Sequence, residues 1–157
     1  MTACWMFLAT LALAPGAVSA GASAQTTDTE AAELYARAIT ALLGEPTAAG
    51  TFYLAEDVLG EGKRTISSEI PEAVAGELGD AGYRVELAHL AESGLWDVPQ
   101  RQLFLMFGQL EILSGKKLAR LTLSVGSGSR LDEEVSFTFR KEDGQWVLVE
   151  KGPPEGE

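Results

Sequence analysis

Along this chain the spacing of apolar positions changes from three or four residues to two, and the change divides it into helices followed by strands. Leu34, Tyr35, Ala38, Ile39 and Leu42 form a stripe at helical period, and Gly44 with Pro46 prevents continuation. Thr27 and Glu30 have capping-box spacing, so the pattern predicts a helix over about Thr29 to Leu43. A short β-rich run, Thr51 to Ala55, comes next and leads into a Gly- and charge-rich loop. Ile70-Pro71 opens a second helix, with Val74 and Leu78 on one face and Gly79 or Gly82 closing it. In "YRVEL" Tyr83, Val85 and Leu87 share one face and Arg84 and Glu86 the other, the signature of a half-buried strand.

After a loop from His89 to Pro99, almost everything alternates. Strands are predicted at Gln102 to Leu113, Leu118 to Val125, Glu134 to Lys141 and Gln145 to Lys151. Their connections are short, so consecutive strands are antiparallel neighbours. Asp143-Gly144 calls for a type I′ turn, because both central residues need positive φ. Leu103, Leu105 and Phe107 share one parity, whereas Leu110 and Ile112 share the other, which predicts a β-bulge near Gly108. The expected fold is α+β: N-terminal helices packed on a curved antiparallel meander sheet of four to six strands.

The N-terminus stands apart from this pattern. "CWMFLATLALA" is an uncharged apolar run of about ten residues, the length of a signal-peptide core and too short to span a bilayer. Val18-Ser19-Ala20 and Ala22-Ser23-Ala24 both offer the small-x-small pattern of a cleavage site, although no Lys or Arg precedes the apolar run. We therefore expect a signal peptide over residues 1–24, a single domain over 25–152, a frayed tail over 153–157, and an exported protein, periplasmic or secreted. The alternative for the N-terminus is a buried helix. Cys4, the only cysteine, falls inside the expected signal, so the mature chain would carry no disulfide, thiolate nucleophile or thiolate metal ligand.

The formal charge is −11, and residues 1–24 contain no charged side chain, so the whole excess falls on the mature part. Such a surface repels phosphate backbones and anionic lipid, which argues against nucleic-acid and polybasic membrane binding. The carboxylates are scattered, as a solubilising surface requires.

Candidate chemistry is sparse. "GSGSR", Gly126 to Arg130, lacks the Lys and the following helix of a P-loop, and Leu131 stands where a dinucleotide fingerprint needs Gly. It is read as a chain reversal between strands, with Asp132 to Glu134 extending the loop. His89 is the only histidine and cannot build a His-rich zinc site. Glu56-Asp57 and Asp132-Glu133-Glu134 lie at strand ends or in loops, where charges are ordinarily solvated. No catalytic residue, cofactor or metal is assigned. The remaining candidate is the loop around Trp96, flanked by His89 and Arg101: a ligand-binding set of His89, Trp96 and Arg101. Leu95 and Trp96 could equally cap an open end of the sheet. Trp146 is expected to pack in or over the last strand.

The motif order "ALLGEP", "TFYLA", "IPEAVAGEL", "LFLMFGQLEI" and "FTFRKEDGQWVLVEKG" resembles small exported bacterial domains of unknown function. The closing Asp-Gly-x-Trp hairpin is also similar to that of cone-shaped folds like nuclear transport factor 2 and of cystatin-like domains. That resemblance implies a curved sheet around a helix and leaves the activity open. Three functions are carried forward: a non-enzymatic module binding a protein or small ligand; a small-molecule enzyme pairing His89 with a carboxylate near Trp96; and a structural or immunity-type protein partner.

Overall fold

The computed structural model describes residues 20–56, 69–113, 115 and 117–153. The N-terminal apolar run with Cys4 and Trp5, residues 57–68 and the tail beyond Pro153 lie outside the described residues. In chain order the elements are α1 (Ala20–Leu43), α2 (Pro46–Ala49), β1 (Thr51–Ala55), α3 (Glu69–Asp80), β2 (Arg84–Ala88), β3 (Leu103–Leu113), β4 (Leu118–Ser127), β5 (Arg130–Glu142) and β6 (Gln145–Gly152). The fold is α+β, with helices on an open six-stranded sheet of order β2-β1-β3-β4-β5-β6.

The sheet is mixed: the expected antiparallel meander is extended by two parallel strands. β1 runs parallel to both β2 and β3, whereas β3 to β6 form the expected antiparallel meander. Two-residue turns join only antiparallel strands, and parallel strands need a long crossover. Helix α3 lies on the connection from β1 to β2, and residues 89–102 supply the crossover from β2 to β3. The local pattern of "TFYLA" carried no information about which partner it would find.

Helix α1 begins nine residues before the expected start, so Thr27 lies within the helix and is no N-cap. Glu30 faces the sheet instead. Its Oε1 accepts hydrogen bonds from Lys141 Nζ at 2.6 Å and Trp146 Nε1 at 3.2 Å. The C-terminus follows the expectation: Gly44 sits at φ 71° and its N–H donates to Thr40 O, an αL cap. In α3 Tyr83 N donates to Leu78 O and Gly82 N to Gly79 O, a Schellman ending with Gly82 at φ 97°. The buried Leu78 and Tyr83 provide the hydrophobic contact that accompanies this motif.

Strand pairing slips at the expected place. Phe107 opposes Leu123 and Leu110 opposes Leu121, so Gly108 and Gln109 share one partner position. A Cβ on Gly108 would lie 2.8 Å from the backbone oxygen of Thr122, which explains why glycine occupies the bulge. The bulge also presents Gly108 O to the Tyr35 hydroxyl at 2.7 Å, while the Tyr35 ring stacks edge-on against Phe107. Burial pushes the Tyr35 hydroxyl above its ordinary pKa. Further slips occur at Val125/Gly126 and Thr138/Phe139, and bulges of this kind bend a sheet.

The main core lies between the helices and one sheet face. It includes Leu34, Tyr35 and Ile39 of α1, Val74 and Leu78 of α3, and Phe52, Phe107, Phe137, Phe139 and Trp146 of the sheet. Asp143 and Gly144 both have positive φ, 50° and 82°, as the type I′ turn requires. Between β4 and β5 the turn shrinks to Gly128-Ser129, because Ser127 pairs with Arg130. Asp132 to Glu134 therefore belong to β5, which corrects the longer loop expected there.

Candidate functional site

In the Trp96 loop His89 and Arg101 are exposed, and Asp97 N donates to His89 O at 2.9 Å, next to the Leu90–Trp96 bridge. Trp96 is buried and packs on Phe104 with ring centroids 5.4 Å apart, in a second apolar cluster that includes Ala55 and Ala88. Along β1, Phe52 and Leu54 belong to the main core, whereas Tyr53 and Ala55 belong to this cluster. Strand alternation therefore puts the second cluster on the opposite sheet face. Residues 89–102 run back over that face, and Trp96 fills the space beneath them. Trp96 packs against this face, while the adjacent Leu95 is 58% exposed.

His89 follows β2 and Glu56 follows β1, at the carboxyl ends of two parallel strands in which Ala55 opposes Ala88. That register brings the two side chains together, and His89 Nδ1 pairs with Glu56 Oε2. Both groups are open to solvent, with 68% of the His89 side chain and 36% of the Glu56 side chain exposed. A pair this exposed lacks the desolvated surroundings that strengthen acid–base catalysis.

Arg101 has a structural peculiarity. It sits at φ 66° in the turn Pro99 to Gln102, which Gln102 N closes on Pro99 O. Positive φ at the third turn residue defines type II and favours glycine. The turn is latched to the glycine-serine hairpin: Gly128 N donates to Gln102 O at 2.9 Å, and the Gly128 Cα faces the backbone of residues 99–101. "GSGSR" thus both reverses the chain and secures the loop that carries Trp96. The exposed Arg101 tolerates replacement by glycine on this geometry. Arg101→Gly should raise stability by about 0.5 kcal/mol, the relief of left-handed strain being partly offset by added freedom of the unfolded chain. A urea midpoint that falls instead would show that the arginine side chain holds the turn.

A different place offers a concavity. An open depression of about 430 Å³ lies beside the outward face of α1, bounded by α3 and the inner side of β5 and β6. Phe139, Trp146, Leu148, Leu78 and Ala36 form its apolar floor. Glu33, Arg37 and Glu77 stand at its rim, and Glu33 Oε1 accepts from Arg37 Nε at 3.0 Å. The Glu77 carboxyl is raised above its ordinary range, first by burial and then by the Glu33 charge, with Arg37 opposing. None of the depression's lining residues was expected as a site. The Glu33–Arg37 spacing of i, i+4 was visible in sequence, but the approach of Glu77 depends on α3 packing against α1.

Among the described residues no group of three His, Cys, Asp or Glu side chains converges as metal ligands, and no helix is long and apolar enough to cross a membrane. Comparison of the chain with protein-family models, curated proteins and solved structures found no match in any of the three.

Proposed function

We propose that this is an exported, non-enzymatic binding module and that its ligand rests in the depression beside α1. The observation that carries the reading is the combination found there: a largely apolar lining under a charged rim, at a volume within the range of small-ligand sites. Export is supported by the uncharged apolar run and the two small-x-small sites that follow it. The helices packed on one sheet face are compatible with the likeness to cone-shaped and cystatin-like domains, which host binding proteins and enzymes alike.

Two measurements test this. Expression of the full chain in a bacterial host should yield a periplasmic product beginning at Gly21 or Gln25; a full-length cytoplasmic product would overturn export. In a fragment screen followed by amide chemical shifts, hits should perturb Arg37, Ala41, Ala81 and Leu148 together. Hits scattered elsewhere would overturn the assignment of the site.

A second reading rests on the His89–Glu56 pair, which joins the lone histidine to a carboxylate as the enzyme alternative requires. Turnover in a hydrolase screen that disappears in His89→Ala would favour it over the binding module. The exposure of the pair is the reason it ranks second.

A further inference from the structure

The rim charges of the depression narrow the class of ligand, an inference that rests on the binding reading above. Two carboxylates, Glu33 and Glu77, face one guanidinium, Arg37, so the rim holds one uncompensated negative charge when all three are ionised. Glu33 and Glu77 line the same small volume, and a positive group placed there would be attracted by both carboxylates. Other cations close by are already engaged. Lys141 donates to Glu30 at 2.6 Å, and Lys151 Nζ reaches the Ala41 carbonyl at 3.4 Å, at the C-terminal end of α1 where carbonyls are free to accept. The chain's overall charge of −11 adds a long-range field of the same sign.

Below the rim the surface changes character. Leu78, Phe139 and Trp146 are almost wholly buried as side chains but contribute atoms to the floor, and Leu148 is half-buried. An occupant matched to this site carries a positive head and a compact apolar body. We propose that the depression takes an organic cation of this kind, an ammonium lodged between Glu33 and Glu77 with its apolar part on the half-buried Ala41 and Leu148. A free anion or an acidic peptide would meet two carboxylates at the entrance, and an uncharged ligand would gain no attraction from them.

Three probes of one shape separate these cases: phenethylammonium, 2-phenylethanol and phenylacetate, titrated into the folded protein and followed by amide chemical shifts. Phenethylammonium should bind at least tenfold more tightly than the alcohol, and phenylacetate more weakly than either. Glu77→Gln, on an exposed helix position, should reduce phenethylammonium affinity about fivefold and leave the alcohol unchanged. Thr40→Trp, also on an exposed position, should block all three by filling the depression, with circular dichroism confirming that both variants fold. Equal binding of the three probes, lost in Thr40→Trp, would overturn the cation preference while leaving the binding site intact. Failure of every probe to shift the lining residues, or binding indifferent to Thr40→Trp, would overturn both.

Discussion

Gly126→Ala should cost the protein about 3 kcal/mol, at the upper end of ordinary overpacking effects. A Cβ at this position would fall 1.8 Å from the carbonyl oxygen of Arg130, with the Arg130 carbonyl carbon and the Leu131 Cα each at 2.7 Å. All three atoms belong to the backbone of the paired strand, so no side-chain rotation relieves the clash. Gly126 lies outside the left-handed region; close approach, and not φ, demands the glycine. Pairing slips between Val125 and Gly126, and the two strands are drawn together there. Relief requires β4 and β5 to separate at their turn, which would also strain the latch from Gly128 to Gln102. Gly76→Ala is the matching control, because a Cβ there meets nothing within 4 Å and the position lies inside α3. It should stabilise by about 0.5 to 1 kcal/mol through helix propensity. Urea denaturation followed by far-ultraviolet circular dichroism reads both, and similar midpoints for the two variants would refute the tight approach at Gly126.

The difference between what was and was not legible in the sequence follows the range of the interactions. The Asp143-Gly144 turn, the Gly108 bulge and the Gly82 ending of α3 are decided by a few neighbouring residues. Turn chemistry and side-chain parity reveal them. The parallel pairing of β1 is decided by where α3 returns the chain, and five residues of alternating burial cannot encode that. Glu30 shows the same conflict at one side chain. Its spacing from Thr27 satisfies a capping box, yet its partners are Lys141 and Trp146, more than a hundred residues away. A buried indole N–H and a lysine offer more to a carboxylate than a helix amide that can bond within its own helix.

The candidate sites divide along the same line. His89 could be expected to want a carboxylate, but Glu56 became its neighbour only through the parallel register of Ala55 with Ala88. Trp96 stands out in the sequence because an aromatic with a donor in a long loop suits either a binding pocket or a cap on the sheet. Which of the two applies depends on a crossover that returns over β1, which local pattern does not reveal. The depression beside α1 draws residues from α1, α3, β5 and β6. A site assembled from four elements leaves no contiguous motif.

Trp146 carries the second large effect, because it joins the core to the depression. Its side chain is 1% exposed, its Nε1 donates to Glu30, and Lys141 lies over its ring at 5.1 Å from the centroid. Trp146→Ala should cost about 3 to 5 kcal/mol, from lost burial and the cavity left behind. Trp146→Phe retains part of the ring and loses the donor. The Glu30 carboxylate keeps Lys141, so this change should cost less, about 1 to 2 kcal/mol. The order of the two variants separates packing from hydrogen bonding. If Trp146→Phe destabilised as much as Trp146→Ala, the bond to Glu30 would be the dominant contribution and the ring a minor one. The variants also test the floor of the depression. Phenethylammonium should still bind Trp146→Phe, which keeps an aromatic ring beneath the rim of Glu33, Arg37 and Glu77. The affinity should fall in Trp146→Ala under conditions where that variant remains folded, since the buried indole packs β6 against α1 beneath the depression and its loss lets the lining shift.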